Sequence, residues 1–227
     1  MEILKMKDIV KTYQMGEEDQ IVLKDIDLII NKGDFVSILG PSGSGKTTLM
    51  NIIGCLDVQT SGSYVLNNQE VDDLDESELA QIRNKEIGFV FQQFQLLQRL
   101  SALQNVELPL IYAKIPSKLR KEKAKEMLER VGLSEKVNSR PTQLSGGEQQ
   151  RVAIARAMVT KPTILLADEP TGALDQKTGE QIMQLFTELN KEGKTIIMIT
   201  HDEKIAKYAS TRINILDGEL TEVKYND

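Results

Sequence analysis

The octapeptide GPSGSGKT, residues 40–47, brings three glycines, a lysine and a threonine together directly after the apolar run FVSIL. Glycines let successive backbone N–H groups turn toward one anion. A lysine at the end of such a loop neutralises β- and γ-phosphates, the following helix dipole adds partial positive charge, and a Thr47 hydroxyl is suited to Mg²⁺. TILLADEP, residues 163–170, is an apolar run ending in two adjacent carboxylates. Asp168 at its tip is placed to hold Mg²⁺ through water, and Glu169 to polarise an attacking water. The single histidine, His201, follows TIIMIT, and Gln92 closes IGFVFQ. Both fall where ligands of open α/β sheets collect, so His201 is either catalytic or structural, and the Gln92 amide either a Mg²⁺ ligand or a polar strand end. Tyr13 in KTYQMG offers a ring for stacking on adenine, or for packing.

A second loop-to-helix stretch, QLSGGEQQRVAIARAM (residues 143–158), also has the makings of an anion site. One nucleotide would then have two cradles in one chain.

Positioning these residues requires a particular set of elements. Strand patterns occupy residues 3–13, 21–30, 35–39, 62–67 and 87–91, and return at 163–168, 195–200 and 212–216. The last three are separated by segments read as helix-length, which implies βαβ crossovers and a parallel sheet. Helical spacing follows the glycine loop, and another helix is predicted to open at Asp75 with Glu78 in capping-box position. From Gln92 to about Thr160 nearly everything reads as helical, an inserted helical lobe.

At 227 residues the chain has room for one large domain with such an insertion. A formal charge of −6 argues against a general nucleic-acid binder. A lone cysteine, Cys55, reads as a small buried apolar residue, and with no charged-then-apolar leader the natural reading is cytosolic. Residues 114–125 hold six basic side chains and one acid, but acids follow at Glu126 and Glu129, and a solvated helix face accounts for the run.

In this order, GPSGSGKT, FVFQQ, LSGGEQQR, LLADEP, ALD and ITHD resemble the nucleotide-binding subunit of an ATP-binding-cassette transporter along essentially the whole chain. The resemblance implies an α/β P-loop NTPase fold: a RecA-like, mostly parallel core with an N-terminal antiparallel β subdomain (residues 1–92 and 158–227 together) and an inserted α-helical subdomain (93–157). It implies ATP and Mg²⁺ as ligands, with nucleotide held by Tyr13 and by Gly40, Pro41, Ser42, Gly43, Ser44, Gly45, Lys46, Thr47 and Thr48. Thr47, Gln92 and Asp168 (through water) would serve the metal, and Glu169, His201 and Gln92 catalysis. Ser145, Gly146, Gly147 and Glu148 would act in trans on a second subunit's ATP, and Ala173, Leu174 and Asp175 would form the dimer-facing D-loop.

Family members most often have glutamine at position 148, so Glu148 puts an extra acid near a phosphate site and is expected to alter nucleotide affinity slightly. IIGCLD, RNKEIGFVFQQFQLL, NVELPL and TGALD resemble the branch of macrolide-export and lipoprotein-releasing ATPases. That branch implies a homodimer on ATP binding, integral membrane permease subunits with a periplasmic or extracellular adaptor as a further partner, no nucleic acid, and a peripheral place on the cytoplasmic face of the membrane. Three alternatives remain at this point: a nontransport cassette protein, a phosphotransferase using the same loop, and a division-site regulatory ATPase.

Overall fold

Long alternating strands open the chain: β1 (Glu2–Met15) pairs antiparallel with β2 (Glu18–Asn31) and with β4 (Ser61–Leu66). Alternation on β2 buries Ile26, Leu28 and Ile30 on one face, and each such side chain taken from water contributes about 1.5–3 kcal/mol before entropy is charged. With β5 (Gln69–Glu70) these strands form a four-stranded sheet in the order β2-β1-β4-β5. The computed structural model describes residues 1–16 and 18–225. It has two units, Met1–Arg83 with Asn190–Asp227, and Asn84–Leu189.

The first unit also carries a mostly parallel layer. β3 (Phe35–Leu39) lies between β8 (Thr195–Thr200) and β9 (Thr211–Leu216), parallel to both, and β10 (Glu219–Tyr225) adds an antiparallel edge. All six residues of β8 are buried, and its apolar centre Ile196–Ile199 is what a strand covered on both faces needs. The glycine loop feeds α1 (Lys46–Ile53). α2 (Glu76–Glu86) has the expected capping box: the Glu78 amide donates to Asp75 at 2.8 Å and the Asp75 amide to Glu78 at 2.9 Å. Cys55 is buried, and burial pushes its thiol up to about 11.

In the second unit β6 (Ile87–Val90) pairs parallel with β7 (Ile164–Asp168), and α3 (Ala102–Tyr112), α4 (Ser117–Arg130) and α5 (Gly146–Met158) pack on one another. α5 also lies against β6, so closely that a Cβ on Gly88 would sit 2.3 Å from the Ala157 carbonyl oxygen. α6 (Gln176–Lys191) follows β7 and buries Ile182, Met183, Phe186 and Leu189 along one stripe. The basic run lies around α4, whose Ala124, Met127 and Leu128 are buried while Lys118, Lys121 and Lys125 are exposed, a solvated face.

Two elements differ from the sequence expectation. The segment between β6 and α3 is a loop and not helix, with Phe94 and Gln95 at φ 60° and 49°. Fully buried Asn105 organises it: its Oδ1 accepts the Leu97 amide at 2.8 Å, and its Nδ2 donates to the carbonyls of Leu97, Leu100 and Ser101. One side chain thus supplies the partners that a helical ladder would have supplied. Between β8 and β9 the expected helix shrinks to the four residues of α7 (Glu203–Ala206).

Replacing Asn105 by Ala should strand those loop groups, at about 1–3 kcal/mol for each buried one left unpaired. Urea denaturation should show a lower midpoint; an unchanged midpoint would mean that the loop is held by other contacts.

Candidate active site

Both strand ends that matter in the first unit are set by register. Leu39 of β3 pairs with Thr200 of β8, so Gly40 and His201 leave neighbouring strands at the same end. Gly45 adopts φ 100°, a left-handed conformation natural to glycine, and caps α1 with no side chain on its first amides; no acidic residue stands in the first turn. Those are the conditions under which a helix start takes a phosphate. Lys46 folds back over the loop, its Nζ donating to the carbonyls of Gly40 (2.7 Å) and Pro41 (2.6 Å). Ser44 Oγ is buried without a hydrogen-bond partner among the described residues. Such a loop fits a phosphate chain, which would exchange these carbonyl contacts of Lys46 for a charged acceptor.

Tyr13 lies in the same unit, half buried near the end of β1. Its hydroxyl donates to Asp57 Oδ2 at 2.6 Å, and burial, then that hydrogen bond, raises the phenol above its ordinary range.

The second unit gathers the acids, Gln92 and the LSGG helix. Val90 pairs with Ala167, so Gln92 and the pair Asp168-Glu169 also leave neighbouring strands at one end. Glu169 has φ 44°, a conformation that costs a non-glycine residue on the order of 1–3 kcal/mol and tends to accumulate at functional positions. A Cβ on Gly172 would lie 2.5 Å from Gln92 Nε2, so the glutamine amide rests against the loop that follows Glu169.

Ser145 is the exposed N-cap of α5. The first intrahelical bond runs from Gln149 N to Ser145 O, which leaves the Gly146 and Gly147 amides ahead of the ladder. Glu148 completes a capping box, accepting the Ser145 amide at 2.8 Å while its own amide donates to Ser145 Oγ at 3.3 Å. Its other oxygen is 3.4 Å from Lys136 Nζ. The Ser145 amide, aided by Lys136 and opposed by partial burial, holds the Glu148 carboxyl below its ordinary range. The extra acid that the sequence raises as a perturbation is therefore engaged within its own chain. The Ser145 hydroxyl oxygen thus accepts the Glu148 amide, and the same side chain helps to hold the Glu148 carboxyl down.

Several contacts here carry no signal in a motif. Fully buried Gln150 donates to the Pro170 carbonyl at 2.7 Å, behind the acid pair, and at 3.5 Å to Phe91 O beside Gln92. Arg156 donates to the carbonyls of Phe94 and Gln95. A Cβ on Gly147 would come within 2.4 Å of Thr178 Cγ2, while one on Gly146 would stand 3.1 Å from Leu174 Cδ2. Thr178 is itself fixed, its Oγ1 donating to Asp175 Oδ2 at 2.6 Å; hydrogen bonds from Thr178 hold that exposed carboxyl below its usual range. The α5 glycines are thus packed on residues 173–178 of the same chain.

Thr47, Gln92 and Asp168 offer oxygen ligands of the kind Mg²⁺ accepts. Among the described residues no group of three His, Cys, Asp or Glu side chains is gathered as a metal site.

Residues 23–172 match the family described as ABC transporter. The chain belongs to that family. The cassette is 57% identical over 218 residues to the ABC transporter ATP-binding protein YvrO of Bacillus subtilis, covering 96% of this chain and 95% of that one. It is 50% identical over 220 residues to the macrolide export ATP-binding/permease protein MacB of Aggregatibacter actinomycetemcomitans, 97% of this chain but 34% of that longer protein. In structure it is similar to the dimeric, post-hydrolysis ATP-binding cassette MJ0796 bound to ADP and Pi, of Methanocaldococcus jannaschii, with a TM-score of 0.90, 50% identity and 99% of each chain covered. The chain is an ABC ATPase with an antiparallel N-terminal sheet and a parallel core, and ATP is its nucleotide. No helix among the described residues is long and apolar enough to cross a membrane.

Within this cassette Gly147→Ala should be destabilised by about 1–3 kcal/mol through overpacking against Thr178. Thr178 is β-branched and tethered, so it cannot rotate aside cheaply. Adding Thr178→Ser removes the clashing methyl and keeps the hydroxyl, so the double variant should regain most of that loss in a denaturation cycle; strict additivity would refute the contact.

Proposed function

We propose that this chain is the ATP-binding subunit of an export-type transporter, working as a homodimer in which each phosphate loop is completed by the partner's Ser145, Gly146 and Gly147. The observation that carries the reading is the start of α5: an exposed Ser145 followed by two glycine amides ahead of the helical ladder. Its likeness to the dimeric cassette MJ0796 supports the same arrangement.

Lys46 and the loop amides bind the β- and γ-phosphates, and Tyr13 stacks on the base. Glu169 orients the attacking water and accepts its proton, while His201 donates to the γ-phosphate as charge builds on the leaving oxygen. Thr47, Gln92 and, through water, Asp168 would hold Mg²⁺, which when bound would supply charge neutralisation to the phosphates. Residues 173–175 face the partner. The boundaries 93–157 are our assignment of the helical subdomain, which Gln92 links to nucleotide state. Separate permease subunits dock near residues 92–110, where exposed Leu97 lies, with exposed Ile111 and Tyr112 just beyond, and they set the cassette on the cytoplasmic face of the membrane. Likeness to the MacB protein, whose name couples the ATP-binding part to a permease and to macrolide export, favours export or mechanical work across the membrane, with an adaptor beyond it.

Glu169→Gln should keep ATP binding, lose about 10²–10⁴-fold in turnover and elute as a dimer on size exclusion only with ATP. A variant that stays monomeric at saturating ATP and turns over like the wild type would overturn the assignment.

A further inference from the structure

Lys11, Tyr13 and Asp57 form a closed cluster in the first unit. Lys11 and Tyr13 are two apart on β1 and so share a face. The β1–β2 register slips between Lys11↔Leu23 and Thr12↔Ile21, placing the extra residue, Val22, on β2 and leaving the alternation of β1 intact here. Lys11 is buried, an uncommon state for a lysine, and its ammonium is satisfied by Asp57 Oδ1 (2.7 Å) and the Val58 carbonyl (2.7 Å). The same ammonium stands 4.7 Å from the centroid of the Tyr13 ring, over its face.

Asp57 takes three donors: Lys11, the Tyr13 hydroxyl and the Val58 amide at 2.8 Å. Although burial alone would raise its carboxyl, the hydrogen bonds from Lys11, Tyr13 and Val58 hold it below the ordinary range. The Thr48 side chain of α1, the helix that begins at the phosphate loop, opposes the rise that burial and Asp57 impose on the Tyr13 phenol. The segment carrying Asp57 is itself fastened to β1, by Thr60 N to Val10 O at 2.8 Å and Thr12 N to Thr60 Oγ1 at 2.9 Å.

A tyrosine that merely packs would not need a buried cation on one face and a charged acceptor on its hydroxyl. A stacking platform gains from both, because a ring fixed in advance loses no rotamer freedom when the base arrives. We propose that Lys11 and Asp57 are positioning residues for the nucleotide base: they lock the Tyr13 ring, Lys11 occupies one face, and the base stacks on the other. This rests on the reading of Tyr13 as the base platform.

The test is calorimetric binding of ADP and of inorganic pyrophosphate to the full chain, for Tyr13→Ala, Tyr13→Phe, Lys11→Met, Asp57→Asn and the Lys11→Met/Asp57→Asn pair. Tyr13→Ala should weaken ADP about tenfold, within the span of base–aromatic stacking. The Lys11, Asp57 and Tyr13→Phe variants should weaken it about three- to tenfold. Pyrophosphate affinity should stay constant throughout. The double variant leaves no charge buried alone, and Tyr13→Phe is milder still, so a single variant that fails to fold does not remove the test. If Tyr13→Ala loses ADP affinity and the other variants do not, the lock is wrong while the platform stands. Should Tyr13→Ala bind ADP like the wild type, the platform itself fails. An equal loss of ADP and pyrophosphate in the Lys11 and Asp57 variants would make the cluster a general support of the loop and overturn the proposal.

Discussion

An α-helix leaves the amides of its first turn without partners inside the helix, and this chain begins two helices in ways that keep those amides available. α1 starts at a left-handed glycine with no side-chain cap, and α5 starts at a serine cap followed by two glycines. Backbone N–H groups and the helix dipole attract anions at both. A single nucleotide needs one phosphate loop, so the second helix start is redundant only while the chain is considered alone. In the dimer proposed above, each chain would keep its own phosphate loop and lend its partner the start of α5.

Much of the surrounding structure keeps α5 in place relative to the elements of its own unit. Gln150 reaches the loop behind the acid pair, Arg156 grips the backbone after Gln92, and Gly147 is packed on Thr178. A displacement of the α5 start would therefore be felt at the Gln92 loop, at Pro170 and at Asp175. These are discrete packing and hydrogen-bond contacts, the kind of coupling by which an event at one surface can bias another. Glu148 joins the same scheme: its carboxylate fixes the Ser145 cap and is balanced by Lys136.

The parts of the fold legible in the sequence are those in which local pattern and tertiary demand agree. FVSIL and TIIMIT are mostly apolar because their strands are buried, and GPSGSGKT announces its loop by glycines that few other structures require. The Asp75/Glu78 box was equally readable. The segment after Gln92 was not, because its conformation is imposed from a distance by Asn105 and Arg156, and helical spacing cannot register a side chain that takes over loop carbonyls. Lys11 and Asp57 were invisible for a similar reason: they lie 46 residues apart and become a pair only when the loop after α1 is fastened to β1. Glu148 departs from the family's usual glutamine, and its contact with the Ser145 amide is likewise set by the folded backbone.

Mixing two defective chains tests the shared site most directly. Ser145→Arg blocks the half that a chain lends, and Lys46→Ala disables the loop that it keeps. Each variant alone should be inactive, and the mixture should regain ATP hydrolysis, because each mixed dimer contains one site built from an intact loop and an intact partner serine. Wild-type turnover by Ser145→Arg alone, or a mixture no more active than its components measured separately, would contradict a catalytic site shared between two chains.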